Sequence, residues 1–109
     1  MVDIIIYTKE ETLDHKRGFC KGEEDIDIFY WKFSFTPKKM NDIEKIYFAT
    51  KGFIRGYFEV EDSNGLDILE WNKKSWVSIK PIPCKQFQGF KYADNLPELN
   101  KTATKPKTK

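Results

Sequence analysis

Residues 46–61, IYFATKGFIRGYFEVE, decide the fold. The β-branched and aromatic run Ile46, Tyr47 and Phe48 leads to Lys51-Gly52, and a second apolar run follows from Phe53 to Val60. Side chains of this kind suit a pleated, half-buried strand, and glycine readily takes the positive φ of a tight reversal. The stretch reads as a strand over 46–50, a turn at Lys51-Gly52 and a strand over 53–61, a β-hairpin. Gly56, inside the second strand, marks a bulge or the close approach of another backbone.

On the N-terminal side, residues 26–36 (IDIFYWKFSFT) give the longest strand signal. Phe29, Trp31, Phe33 and Phe35 alternate with Tyr30, Lys32 and Ser34, and a parity switch near Ile28 predicts a bulge or a strand that changes face. Pro37 ends that strand, because proline has no amide to give to a ladder. Residues 2–7 (VDIIIY) read as a buried strand. Thr8 with Glu11 forms a capping-box pattern for a short helix over 9–17, which Gly18 stops. Residues 21–25 and 38–45 are polar connections.

On the C-terminal side, DSNG at 62–65 is a turn signal, and 66–71 (LDILEW) fits either a strand or a helical turn. Residues 75–82 lead into Pro81 and Pro83 and suit an edge strand. Residues 86–92 form a last strand. The fold class expected is mainly β with one or two short helices (α+β), built as a small barrel or sandwich.

The 109 residues fit one domain, 1–99, with a lysine-rich tail over 100–109 that offers no apolar face and is expected to be disordered and dispensable for folding. Nine Phe, five Tyr and three Trp supply core volume despite a hydrophobic fraction of 39%. No apolar run approaches the ~18 residues of a membrane span, so no membrane is expected and the default location is cytoplasmic. The formal net charge of +2 hides a partition. Lys101, Lys105, Lys107 and Lys109 lie in the tail, leaving 15 basic and 17 acidic residues in 1–99, a net of −2. A case for nucleic acid therefore rests on local patches.

The segment 71–92 is such a patch. It carries Lys73, Lys74, Lys80, Lys85 and Lys91 without an acid, interleaved with Trp71, Trp76, Phe87, Phe90 and Tyr92. Aromatic faces stack bases and lysines neutralise phosphates; equally, a half-buried strand turns its aromatics to the core and its lysines to water. Arg55, next to Gly56, either approaches a ligand with its planar fork or pairs with Glu44 or Glu59. Signals for chemistry are sparse. There is no phosphate loop, no nucleophile elbow and no metal-ligand spacing. His15 is expected to be solvated on the helix. Cys20 and Cys84 are too few and too far apart for a zinc cluster with it. The run Glu23, Glu24, Asp25, Asp27 lacks calcium-loop spacing and reads as a solvated face. No cofactor and no metal are expected.

The segment 45–60, KIYFATKGFIRGYFEV, resembles the central hairpin of the PUA-like superfamily, which includes the ASCH and EVE domains. The likeness rests on Ile46, Tyr47 and Phe48, then Gly52, Ile54, Gly56 and Val60. Tyr30-Trp31-Lys32-Phe33 is similar to the strand that lines the ligand cleft of those domains, and Trp76-Val77 and Phe87-Gln88-Gly89-Phe90 suit their last strands. The resemblance, over about residues 26–92, implies a small pseudo-barrel that binds RNA or a modified nucleobase in a cleft. Some ASCH members are amidohydrolases on modified nucleosides that use lysine with threonine and glutamate; that motif is not reproduced, Lys21-Gly22-Glu23 being a poor echo of it.

The leading expectation is a non-catalytic domain that binds RNA or a nucleobase-bearing ligand. Trp31, Trp71 and Trp76 would stack bases, and Lys51, Arg55, Lys73, Lys74 and Lys85 would contact phosphates. The segment 71–92 and the hairpin should then line one cleft. The alternatives are an ASCH-type nucleoside amidohydrolase and a protein-interaction module. A cleft with a lysine–carboxylate pair favours the enzyme, a basic face around an open cleft favours nucleic acid, and a flat apolar patch favours a protein partner.

Overall fold

A computed structural model describes residues 2–93; the expectations for the tail fall outside the described residues. The elements in order are β1 (Val2–Tyr7), α1 (Glu10–Lys16), β2 (Ile28–Lys32), β3 (Ile43–Thr50), β4 (Phe53–Glu59), β5 (Asp62–Ser63), β6 (Ile68–Asn72), β7 (Val77–Pro83) and β8 (Phe90–Tyr92), with 3-10 turns at Met40–Asp42 and Lys73–Ser75. The protein is mainly β. Its five-stranded sheet has the order β7-β4-β3-β1-β8 and its three-stranded sheet the order β2-β6-β5. The larger sheet does not close on itself. β1 and β3 are parallel, with Ile4 opposite Ile46 and Tyr7 opposite Ala49, and the other pairs are antiparallel.

The hairpin forms about the expected turn, but its first strand begins at Ile43, within the expected connection 38–45, and its second ends at Glu59 rather than at residue 61. Thr50 faces Phe53, and the two linking residues have positive φ, Lys51 at 52° and Gly52 at 88°. Two such residues in succession give the reversal whose twist matches the strands it joins. Between Phe48 and Ala49 the partner jumps from Gly56 to Ile54, so Arg55 is the extra residue of a bulge. A Cβ on Gly56 would lie 2.3 Å from the Val77 carbonyl oxygen and 2.6 Å from the Trp76 ring, so this glycine is also a point of close approach.

The core lies between the sheets. Ile4, Ile6, Ile46, Phe48 and Phe58 of the larger sheet, all fully buried, meet Phe29, Leu69 and Trp71 of the smaller one, and Leu13 of α1 packs into the same cluster. A second cluster, with Tyr47, Ala49, Ile54 and Ile82, contains the alternate residues of β3. β3 is therefore buried on both faces, which explains its nearly unbroken apolar run.

Four further expectations need correction. β2 is regular and ends at Lys32; the parity switch is no bulge, because Ile26 belongs to the preceding turn, where its amide donates to the Glu23 carbonyl. Phe35, expected within the strand, lies beyond it and is exposed. Thr8 does not cap α1: its amide donates to the Ala49 carbonyl and extends the β1–β3 ladder, so Lys9 becomes the N-cap, without a side-chain bond. The last strand is shorter than 86–92, only Phe90–Tyr92 pairing with β1. Residues 68–72, ambiguous in sequence, are a strand. The helix stop is borne out: Gly18 has φ +74°, with Gly18 N–H bonded to His15 O and Phe19 N–H to Asp14 O, the paired bonds of a Schellman motif. Pro81 and Pro83 lie on β7, an edge strand as expected. Among the described residues no helix is long and apolar enough to cross a membrane.

Candidate functional site

Parallel pairing sets the C-terminal ends of β1 and β3 side by side, and each chain then turns away, β1 into α1 and β3 into the hairpin turn. The gap above them is a groove of about 790 Å³. Its floor is Tyr7, Thr8 and Thr50. One wall is the start of α1 with Lys9, Glu10, Glu11 and Thr12, and the other is the loop Gln86–Gly89.

The groove is held by its own contacts. The Tyr7 hydroxyl accepts the Gly52 amide, and its ring meets Phe87 edge-on at 5.7 Å. The Cys84 amide donates to the Gly52 carbonyl at 2.9 Å and anchors the loop to the hairpin turn. Lys51 Nζ lies 3.0 Å from Glu10 Oε1, both side chains being more than half exposed. Thr50 is only 2% exposed, and its Oγ1 has no hydrogen-bond partner among the described residues. Two lysines, 9 and 51, face two glutamates, 10 and 11, so the formal charge of the lining is balanced.

A smaller cavity of about 250 Å³ shares Tyr7 and Gly89 with the groove and continues it past Trp31, Phe33, Phe35 and Phe90. Trp31 is half-buried, edge-on to Phe48, and Lys16 Nζ lies 5.7 Å from its ring centre. The Lys16 ammonium donates to the Tyr30 carbonyl at 2.6 Å, and burial pushes its pKa down.

The eight residues expected to bind nucleic acid do not form one patch. Lys51 lines the groove and Trp31 its continuation. Lys85 is exposed beside the anchored Cys84, next to the groove loop. Arg55, on the bulge, bonds the Thr50 carbonyl at 3.4 Å and lies over Phe53, so neither Glu44 nor Glu59 is its partner. Lys73, Lys74 and Trp76 are elsewhere. The Ser75 hydroxyl of their turn accepts the amide of Glu59, the last residue of β4, whereas Lys51 precedes the first. The seven residues of β4, about 23 Å at 3.3 Å each, separate the two groups. Lys73 Nζ is bonded to the carbonyls of Glu23 and Glu24. Trp76 packs on Phe58 and is covered by the Arg17 guanidinium. Trp71 is fully buried, stacked on Phe58 at 4.8 Å with its indole N–H on the Lys16 carbonyl, and has no face for a base. The expectation of a single cleft lined by 71–92 and the hairpin gives way to this division.

Tyr7, Glu10 and Thr50 were not singled out in the sequence, and Thr8 was read there only as a helix cap. The only local hint is a polar residue directly after each of two apolar strand runs; which strands lie parallel and adjacent is a tertiary fact.

A second cluster lies beyond the last turn of α1. Glu23, expected on a solvated face, is 8% exposed. Its carboxylate meets His15 Nδ1 through one oxygen and accepts the Cys20 amide at 3.2 Å through the other. The Cys20 sulfur completes a group of three donor atoms lying within 4.8 Å of one another. Burial, with Glu23 and Asp14 adding to it, raises the Cys20 thiol pKa; burial raises that of Cys84. Compared with protein-family models, curated proteins and solved structures, the chain shows no significant match to any of them.

Proposed function

We propose that this chain is a small binding domain for a nucleobase-bearing ligand, taken up in the groove at the ends of β1 and β3. The observation that carries the reading is the lining itself. Tyr7 and Phe87 offer aromatic surface, Thr8, Thr12, Gln86 and Gln88 offer donors and acceptors, and the charges balance. The groove has the volume of a small-ligand pocket, and its lining is mostly polar, with Tyr7 and Phe87 as its aromatic surface. A charge-balanced groove suits a base or nucleoside better than a run of phosphates, which calls for a basic track. The resemblance to PUA-like domains of the ASCH and EVE type supports the same reading, with Trp31 in the continuation of the groove. Both cysteines are free thiols, which suits a reducing, cytoplasmic setting.

The test is a titration of nucleosides and of a short RNA, followed by amide shifts of Tyr7, Thr8, Thr50 and Gly89. Saturable shifts confined to the groove are expected. Trp31→Ala should weaken binding by about 1–3 kcal/mol, the usual worth of a stacked base, whereas Trp71→Phe should leave it unchanged. Shifts confined to Lys73, Lys74 and Trp76 would sink the proposal.

The Lys51–Glu10 pair beside Thr8, Thr12 and Thr50 favours a second reading, hydrolysis of an amide on a modified nucleoside. Glu10 would take a proton from a water attacking the amide carbonyl carbon, Lys51 would steady the oxyanion, and Glu10 would return the proton to the nucleoside nitrogen as the C–N bond breaks, leaving the acyl group as its carboxylic acid. Release of the unmodified nucleoside, abolished by Glu10→Gln, would establish it; binding without release leaves the first reading.

A further inference from the structure

We infer that His15, Cys20 and Glu23 form a binding site for a divalent transition metal of zinc type, independent of the groove. The three residues fall within nine positions of sequence, and the fold turns them toward one another. His15 occupies the last turn of α1. Gly18, at φ +74°, ends the helix, and the next turn, closed by Glu23 N–H on Cys20 O at 3.1 Å, folds Glu23 back toward His15.

The donor set is the first argument. Sulfur, imidazole nitrogen and carboxylate oxygen are the three protein donors that zinc accepts. Their atoms already lie within 4.8 Å of one another, so small side-chain rotations bring them onto one ion. Three protein ligands with a fourth position open to solvent is the arrangement of an exchangeable rather than a closed structural site. The His15 side chain is 49% exposed and leaves such an opening, whereas the Glu23 side chain is 11% exposed.

The second argument is how the loop is held. The Glu23 carbonyl, together with that of Glu24, is fixed by Lys73 Nζ, and the Lys16 carbonyl by the Trp71 indole. His15 packs edge-on against buried Phe29 at 5.6 Å. The loop that carries the donors is thus tied to the core at several points, which limits the entropy lost on chelation. The nearby cations are engaged elsewhere: Arg17 with Asp14, Lys16 with Tyr30 O, and Lys73 with the two carbonyls. Among the described residues none of these cations forms an ion pair with Glu23, whose carboxylate meets His15 and accepts the Cys20 amide.

A thiol–imidazole–carboxylate trio also resembles a nucleophile with its base. Here the carboxylate approaches both the thiol and the imidazole, and a negative neighbour disfavours the thiolate that a nucleophile requires. A divalent cation reverses that balance and takes the thiolate directly.

The experiment uses the full-length, tag-free, reduced chain titrated with cobalt(II) and then with zinc(II). A sulfur-to-cobalt charge-transfer band with visible ligand-field bands of four-coordinate strength is expected, displaced by zinc in a one-to-one ratio. Cys20→Ser should abolish the charge-transfer band. His15→Gln and Glu23→Gln should each weaken zinc binding at least as much as the loss of an outer-shell partner does, about 10–100-fold. Cys84→Ser should change neither. Should Glu23→Gln fail to fold, alkylation of the wild-type thiols still decides: zinc should slow modification of Cys20 and leave Cys84 unaffected. The absence of a thiolate band, zinc affinity unchanged by Cys20→Ser, or equal protection of both cysteines would overturn the inference.

Discussion

Gly56 sets how near β7 and Trp76 come to β4. Because the closest obstacle to a side chain there is backbone, the Val77 oxygen, it cannot swing aside. Gly56→Val should therefore destabilise the protein by about 2 kcal/mol or more in urea unfolding, in the range of overpacked or strained sites; a neutral result would mean that β7 peels away freely. Asp3 tests burial of a different kind. Desolvation raises its pKa, with Lys45 opposing. Between the ordinary value of 3.8 and the raised folded value, the folded state holds more protons than the unfolded one, so stability falls as pH rises through that window. Asp3→Asn should melt higher than the native chain at pH 7, and the gain should vanish below pH 3.8. Calorimetry at the two pH values checks this, and an equal gain at both would exclude a titration effect.

The β3–β4 hairpin is where local sequence and tertiary role separate. Its turn is stabilised by two residues of positive φ, of which Lys51 is the less suited. Lys51→Asn creates the preferred dipeptide of such turns, so the melting temperature should hold or rise by a degree or two, while the cation facing Glu10 is lost. Weaker ligand binding in a chain that melts no lower would show that Lys51 serves the groove; unchanged binding would leave the groove to its neutral residues. Elements of this local kind were legible in the sequence: the hairpin from its composition, the helix stop from Gly18, the edge strand from Pro81 and Pro83. Alternation did not say which face of β6 points inward, and Trp71, opposite Phe29, was taken for a platform when it is core. The groove was not legible because three segments distant in the chain, 7–12, 50–51 and 86–89, build it. Glu23 resembled its solvated neighbours because the residues that bury it come from the end of α1 and the turn after Asn72.

At the scale of the whole chain, the charge partition makes a prediction about polyanions. Residues 1–99 have a formal charge of −2 and the last ten residues add four lysines. Deleting residues 100–109, which lie outside the described residues, should remove salt-sensitive retention of oligonucleotides, keep nucleoside binding in the groove, and shift the melting temperature by no more than about a degree or two. A truncated chain that still binds oligonucleotide with a slope of several phosphates would place a basic track on the fold itself. The topology also has a consequence in time. β1 is made before either of its partners, for Ile4 finds its neighbours in Ile46 and Tyr92, so the strand stays open on one side until nearly all of the described chain has been synthesised. Such distant pairings close slowly, and an isoleucine-rich ribbon waiting on the ribosome is open to wrong partners. A chaperone that shelters nascent VDIIIY should therefore raise the yield of native protein without altering its melting temperature.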